Sequence, residues 1–137
     1  VDDDFALKIG DFGISTRVDG GIGAHSKVGT SGWTAPEVLL ASENGYGLAC
    51  DIFSFGIILW ELITSEGNPL AGLVEDVYVD SLRRGDRPTL PDPTTPCFED
   101  YNALVRDCWE FDPEHRPSAQ AVVERLTDLL DRALKER

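Results

Sequence analysis

The sequence predicts a mainly α-helical domain, and three observations carry that expectation. Residues 49–65 read A-C-D-I-F-S-F-G-I-I-L-W-E-L-I-T-S and are apolar on nearly every face. Two later stretches, 98–109 and 118–133, repeat apolar residues at helical spacing. Against these stands one β-like alternation, F-A-L-K-I at 5–9.

In chain order, the alternating stretch 5–9 predicts a short strand running straight into Asp11, Phe12 and Gly13. Residues 14–34 are polar, Gly-rich and aperiodic, which predicts a loop of about 20 residues, a length that goes with function or mobility inside a compact domain. Residues 38–41 follow Pro36 and predict a short helix. The run at 49–65 predicts a helix buried all round, at the axis of the core. It is too short to span a bilayer and carries Asp51 and Glu61. Residues 73–84 are amphipathic, and 87–96 (R-P-T-L-P-D-P-T-T-P) form a Pro-rich loop. The helix over 98–109 places Tyr101, Leu104, Val105 and Cys108 on one face. The last helix starts after Pro117, with Ser118 as N-cap and a stripe of Val122, Leu126, Leu129, Leu130 and Ala133.

Composition narrows the function. With 25 acidic and 12 basic side chains, the 137 residues carry a formal charge of −13, a field that repels phosphate backbones and argues against nucleic acid as partner. Apolar residues at 42% and charged ones at 27% are an ordinary globular mixture. Cys50, Cys97 and Cys108 are odd in number and lack C-x-x-C spacing, which argues for reduced thiols in an intracellular, cytoplasmic setting. No signal peptide or membrane span is visible, although a membrane-tethered parent remains compatible with the sequence. The absence of Met implies that Val1 is not a translation start and that the chain is a piece of something longer.

Four blocks follow one another at telling distances. D-F-G at 11–13 is common by itself. It is followed by G-T-S-G-W-T-A-P-E at 29–37, D-I-F-S-F-G at 51–56 and C-W-E-F-D-P-E-H-R-P-S at 108–118. Together they resemble the second half of a protein kinase catalytic domain, in a form closest to the tyrosine-kinase-like group. The resemblance covers essentially the whole chain. It implies the helical C-terminal lobe of the kinase α+β fold with a short strand in front: residues 1–10 the strand, 11–37 the activation segment, and 38–137 the helical base.

The resemblance also implies roles. Asp11 would coordinate the Mg2+ that bridges the phosphates of ATP, since a hard cation takes one or two carboxylates plus phosphate oxygens. Phe12 would enter the apolar column joining two lobes, and Gly13 would let the backbone swing. Ala35, Pro36 and Glu37 would close the activation segment, and Glu37 would pair with Arg116 through a planar two-point contact. Asp51 would accept hydrogen bonds from the backbone of the catalytic loop. The segment contains no Tyr, so activating phosphorylation would use Ser15, Thr16, Ser26, Thr30, Ser31 or Thr34, with Ser26 best placed. Gly29–Thr30 resembles serine/threonine kinases; Trp33–Thr34 also resembles tyrosine kinases, but their proline is missing. Ser/Thr specificity is therefore favoured, with ATP and a protein as the two substrates of a complete domain. A pseudokinase, or a noncatalytic scaffold module of the same fold, is the alternative; an intact Asp11 counts against it. H-R-P at 115–117 is not a catalytic loop, because Pro stands where the base would be, and His25 and His115 have no metal-ligand spacing.

Phosphoryl transfer also needs a glycine-rich lid, an ATP-binding lysine and a catalytic Asp and Asn, which in the family lie before the Asp-Phe-Gly. None is in these 137 residues. The isolated chain is therefore expected to be inactive. It is also expected to be marginally stable or aggregation-prone, because one apolar face of the 52–63 helix would lack its partner. Cooperative unfolding of a soluble monomer in denaturant at low protein concentration would contradict the second expectation.

Overall fold

The computed structural model describes residues 7–18, 22–24, 29–40 and 45–135. Its helices are α1 (Pro36–Leu40), α2 (Ala49–Thr64), α3 (Glu75–Arg84), α4 (Pro96–Cys108) and α5 (Ala119–Lys135). Two short strands, β1 (Ile22–Ala24) and β2 (Tyr46–Gly47), pair antiparallel, with Ile22 opposite Gly47, Ala24 opposite Tyr46 and an irregularity between. This ladder corrects the reading of 14–34 as loop throughout. Its irregular register and brevity leave no alternation for a sequence pattern to show. Conversely, Leu7, Lys8 and Ile9 form no strand. The rest of the 5–9 stretch lies outside the described residues.

Helix α2 is the element around which the others pack. Phe53, Ile57, Leu59 and Trp60 are at most 4% exposed and meet Leu104, Val105 and Cys108 of α4 in the core. Gly56 makes that approach possible: a Cβ there would lie 2.8 Å from the Cβ of Cys108. The helix is not buried all round, however. Ile58 is 43% and Leu62 72% exposed, so its apolar surface exceeds what the other helices of this chain cover. Polar tips are tied down where aromatic bodies enter the core. Trp60 Nε1 donates to Thr89 O at 2.8 Å and Tyr101 Oη to Leu59 O at 2.8 Å, so neither buries an unsatisfied donor.

The helix ends explain where expected boundaries shifted. Helix α3 begins at Glu75 rather than 73, because Leu73 N closes a turn onto Leu70 O and Val74 is extended. Helix α4 begins at Pro96: Pro supplies no N–H and suits the first turn, and Thr95 caps it by accepting from Phe98 N at 3.1 Å. Ser118 Oγ accepts from Ala121 N at 3.2 Å at the head of α5. On α5, Val122 and Leu129 are buried and Leu126 packs against the core. Leu130 is 59% exposed and Ala133 is also exposed, so the apolar stripe is narrower than the spacing suggested. At the other end of α4, Arg125 of α5 pairs with Asp107 at 2.6 Å.

The 87–96 loop is pinned rather than loose. Besides Thr89, Pro91 O accepts from Asn102 Nδ2 at 2.9 Å. Arg87 Nε donates to Trp109 O at 2.9 Å and its Nη1 to Leu82 O at 3.0 Å, which joins α3, the loop and the end of α4. Burial pulls the Arg87 pKa down, partly offset by Glu110 and Tyr78. Arg87 and Arg116 both lie against the ring of Phe53, at 6.0 and 5.1 Å from its centroid.

Gly56→Ala is expected to destabilise a domain containing this chain by roughly 1–3 kcal/mol, through overpacking against Cys108, despite the better helix propensity of Ala. Equilibrium denaturation checks this; an unchanged or raised midpoint would show that α2 and α4 are not in close contact at that point.

Candidate functional site

The Asp-Phe-Gly block sits at the mouth of an open cleft of about 1160 Å³, bordered by Asp11, Phe12, Thr30, Trp33, Asp51 and Phe55. Thus residues from the first, second and third motif blocks share one cavity. Asp11 adopts a left-handed backbone, φ 61° and ψ 62°, and Phe12–Ile14 form a single 3-10 turn closed by Ser15 N on Phe12 O at 3.1 Å. Left-handed geometry is uncommon outside Gly but tolerated by Asp and Asn, and it gathers at functional sites. The Asp11 side chain is exposed. Phe12 is 67% exposed, so among the described residues it packs into no apolar column. A Cβ on Gly13 would meet only Asp11 Oδ1, at 3.7 Å, so space alone does not require glycine there.

Further along, the segment is held firmly. Thr30 O accepts from Trp33 N at 3.1 Å, Thr34 N at 3.2 Å and Thr34 Oγ1 at 2.9 Å. Trp33 Nε1 donates to Glu61 Oε2 on α2 at 2.9 Å. Ala35 and Pro36 are buried, and Ala35 belongs to the core cluster. Glu37 then meets Arg116 from the far end of the chain: Nη1 to Oε1 at 2.6 Å and Nη2 to Oε2 at 2.8 Å. The Arg116 side chain is 0% and that of Glu37 15% exposed.

Of the hydroxyls in the segment, Ser15, Thr16 and Thr30 belong to exposed residues. Thr34 is 6% exposed with its hydroxyl donated to Thr30 O, and Ser31 Oγ donates to Leu73 O at 3.0 Å. A modifying enzyme could reach the first three without unpacking the core. Ser26 and His25 lie outside the described residues. His115 is exposed, 3.7 Å from Asp112.

Asp51 stands in the first turn of α2, where a carboxylate complements the helix dipole. It is exposed on the cleft, 3.9 Å from the neighbouring Cys50 thiol. The Cys50 thiol is pushed up to about 12, by burial first and then by Asp51 and Glu37. It therefore stays protonated and unreactive at neutral pH. Among the described residues, no group of three or more His, Cys, Asp and Glu could hold a metal unaided. One exposed carboxylate on an open cleft nonetheless fits Mg2+, which keeps most of its ligands for phosphate and water. No helix among the described residues is long and apolar enough to cross a membrane.

Sequence reasoning missed the groups that hold the segment from behind: Ser54 on Trp33 O at 2.7 Å, Asn68 on Gly32 O at 2.6 Å and Tyr78 on Thr34 O at 3.0 Å. Asn68 lies in an Asn-Pro pair that signals only a turn, and Tyr78 in an amphipathic stripe that signals only a core face.

Residues 1–126 match the family model for protein tyrosine and serine/threonine kinases. The probable serine/threonine-protein kinase drkD of Dictyostelium discoideum is 41% identical over 137 residues, 100% of this chain and 10% of its own length. The probable serine/threonine-protein kinase drkC of the same organism is 40% identical over 92% of this chain and 17% of its own length. Human tyrosine-protein kinase Fer is 36% identical over 88% of this chain and 14% of its own length. The chain thus spans between a tenth and a fifth of the length of these relatives. With three of the four motif blocks bordering one cleft, the fourth tied to the second through Glu37 and Arg116, and the family model matched over residues 1–126, the chain belongs to the protein tyrosine and serine/threonine kinase family.

Proposed function

We propose that this chain forms the activation segment and helical base of a kinase domain that moves the γ-phosphoryl group of ATP to a protein Ser or Thr hydroxyl. In that reaction the bond from the γ-phosphorus to its bridging oxygen breaks, a bond to the hydroxyl oxygen forms, ADP leaves, and the hydroxyl proton would pass to a base supplied by the remainder of the domain. The carrying observation is the exposed Asp11 carboxylate on the cleft, in a left-handed backbone conformation at the head of a segment whose far end is anchored by Glu37 and Arg116. When bound, Mg2+ would supply neutralisation of the charge on the phosphate oxygens. Asp11 would hold it, and Phe12 and Gly13 would set the angle at which Asp11 enters the cleft. Thr30 and Trp33 would border the protein substrate. Asp51 would receive backbone N–H groups of a catalytic loop supplied by the remainder of the domain. Ser/Thr direction is supported by the names of the two Dictyostelium relatives, and by the absence from this segment of the proline found in tyrosine kinases.

The test is Asp11→Asn in a complete domain. Asn tolerates the same left-handed backbone, so the substitution removes charge with little strain. Because Asp11 is exposed, the unfolding free energy should change by no more than about 0.5 kcal/mol. Mg2+-dependent transfer to casein should fall by at least about 10²-fold, and wild-type phosphate should appear on Ser and Thr. Retained transfer would remove Asp11 from the metal site; phosphate chiefly on Tyr would overturn the specificity.

A further inference from the structure

The carbonyls of three successive residues, of which Trp33 and Thr34 border the cleft and Gly32 stands just before them in the chain, each accept a side-chain hydrogen bond from a different element. Gly32 O receives Asn68 Nδ2 at 2.6 Å, Trp33 O receives Ser54 Oγ from α2 at 2.7 Å, and Thr34 O receives Tyr78 Oη from α3 at 3.0 Å. Two of the donors stand on helices. Asn68 is on the 65–74 connection, yet it is 6% exposed and both ends of its amide are used, since Oδ1 accepts from Leu70 N at 2.9 Å. The same connection touches the segment twice more. Ser31 Oγ donates to Leu73 O at 3.0 Å, and Gly32 sits at φ +98° with its absent Cβ 3.0 Å from Ala71 Cα. Any side chain at Gly32 would push the two stretches apart, so the connection is fitted against this part of the segment.

With its carbonyls drawn toward the helical base, the 30–34 stretch is a ledge of fixed orientation, and Thr30 and Trp33 face the cleft. We propose that Asn68 is a positioning residue for the protein substrate: by clasping Gly32 it holds the ledge on which the hydroxyl-bearing chain is laid. The proposal rests on the kinase reading. It distinguishes the protein substrate from the nucleotide, because Asn68 acts on the ledge and leaves Asp11 alone.

Asn68→Asp separates the two halves of the amide. The acceptor for Leu70 N remains, so the connection keeps its own turn. The donor to Gly32 is lost, and an oxygen now faces that carbonyl. In a complete domain, the KM for dephosphorylated casein is expected to rise by about tenfold, the factor carried by one ordinary hydrogen bond. The KM for ATP should stay within about twofold, because no contact on that side changes. The Trp33 and Thr34 amides, which donate to Thr30 O, should exchange with solvent at least about tenfold faster. Ser31→Ala cuts the neighbouring bond more gently, should give the same split at about threefold, and carries the test if Asn68→Asp does not fold. Equal casein KM values in variant and wild type, or casein and ATP KM values rising together, would overturn the proposal. If the wild-type domain transfers no phosphate, the kinase reading fails, and the amide exchange alone decides whether Asn68 holds the ledge.

Discussion

The structure turns on the guanidinium of Arg116. Its five N–H groups all have acceptors within reach: Glu37 Oε1 and Ala49 O on Nη1, Glu37 Oε2 and Phe111 O on Nη2, and Glu110 O on Nε. Its face lies over Phe53. One fully buried cation thereby joins α1, the start of α2, the turn after α4 and the ring at the centre of the core. A buried charge is costly unless every donor is used, and here every donor is used. Lysine could not reproduce the arrangement, since it offers a point charge where five directed donors are needed.

That constraint divides the segment carrying the candidate site into two regimes. From Thr30 to Glu37 the backbone is tied to α2, α3, the 65–74 connection and Arg116, and most of its side chains are at least half-buried. From Asp11 to Arg17 every residue is exposed, and the local order is one turn. Few buried contacts mean low local stability. The part that would hold the metal is therefore free to reorient, while the part that would meet a protein substrate is built into the base. The exposed apolar side chains of Ile58 and Leu62 on α2, and of Val123, Leu130 and Leu134 on α5, carry the same message at the level of the fold. The helical base has more apolar surface than it can cover by itself.

How much of this was legible in the sequence depended on the range of the interaction. Helices α2, α4 and α5 could be placed because an apolar period of 3.6 is a local signal. The Glu37–Arg116 contact, 79 residues apart, became readable only because two motif blocks named both partners. The β1–β2 ladder left no trace, since three residues opposite two give no alternation. The start of α4 is hidden in the sequence because Pro96 closes a Pro-rich run, although Pro in a first helical turn is favourable. The width of the α5 stripe was overestimated because period alone does not say how many neighbours exist to cover it. Least legible were Ser54, Asn68 and Tyr78. Their importance lies in which carbonyl they reach across the fold, and nothing in a hydroxyl or amide at those positions announces it.

The dependence of the whole arrangement on one ion pair is tested most directly by a double-mutant cycle on Glu37→Gln and Arg116→Met, read by equilibrium denaturation of a complete domain. Each single variant should lose about 3–5 kcal/mol, because each strands the other partner or its carbonyl acceptors. The double variant should lose clearly less than the sum, with a coupling energy above about 2 kcal/mol. Losses that simply add would mean that the two groups stabilise the domain independently, and that the activation segment is not anchored through them.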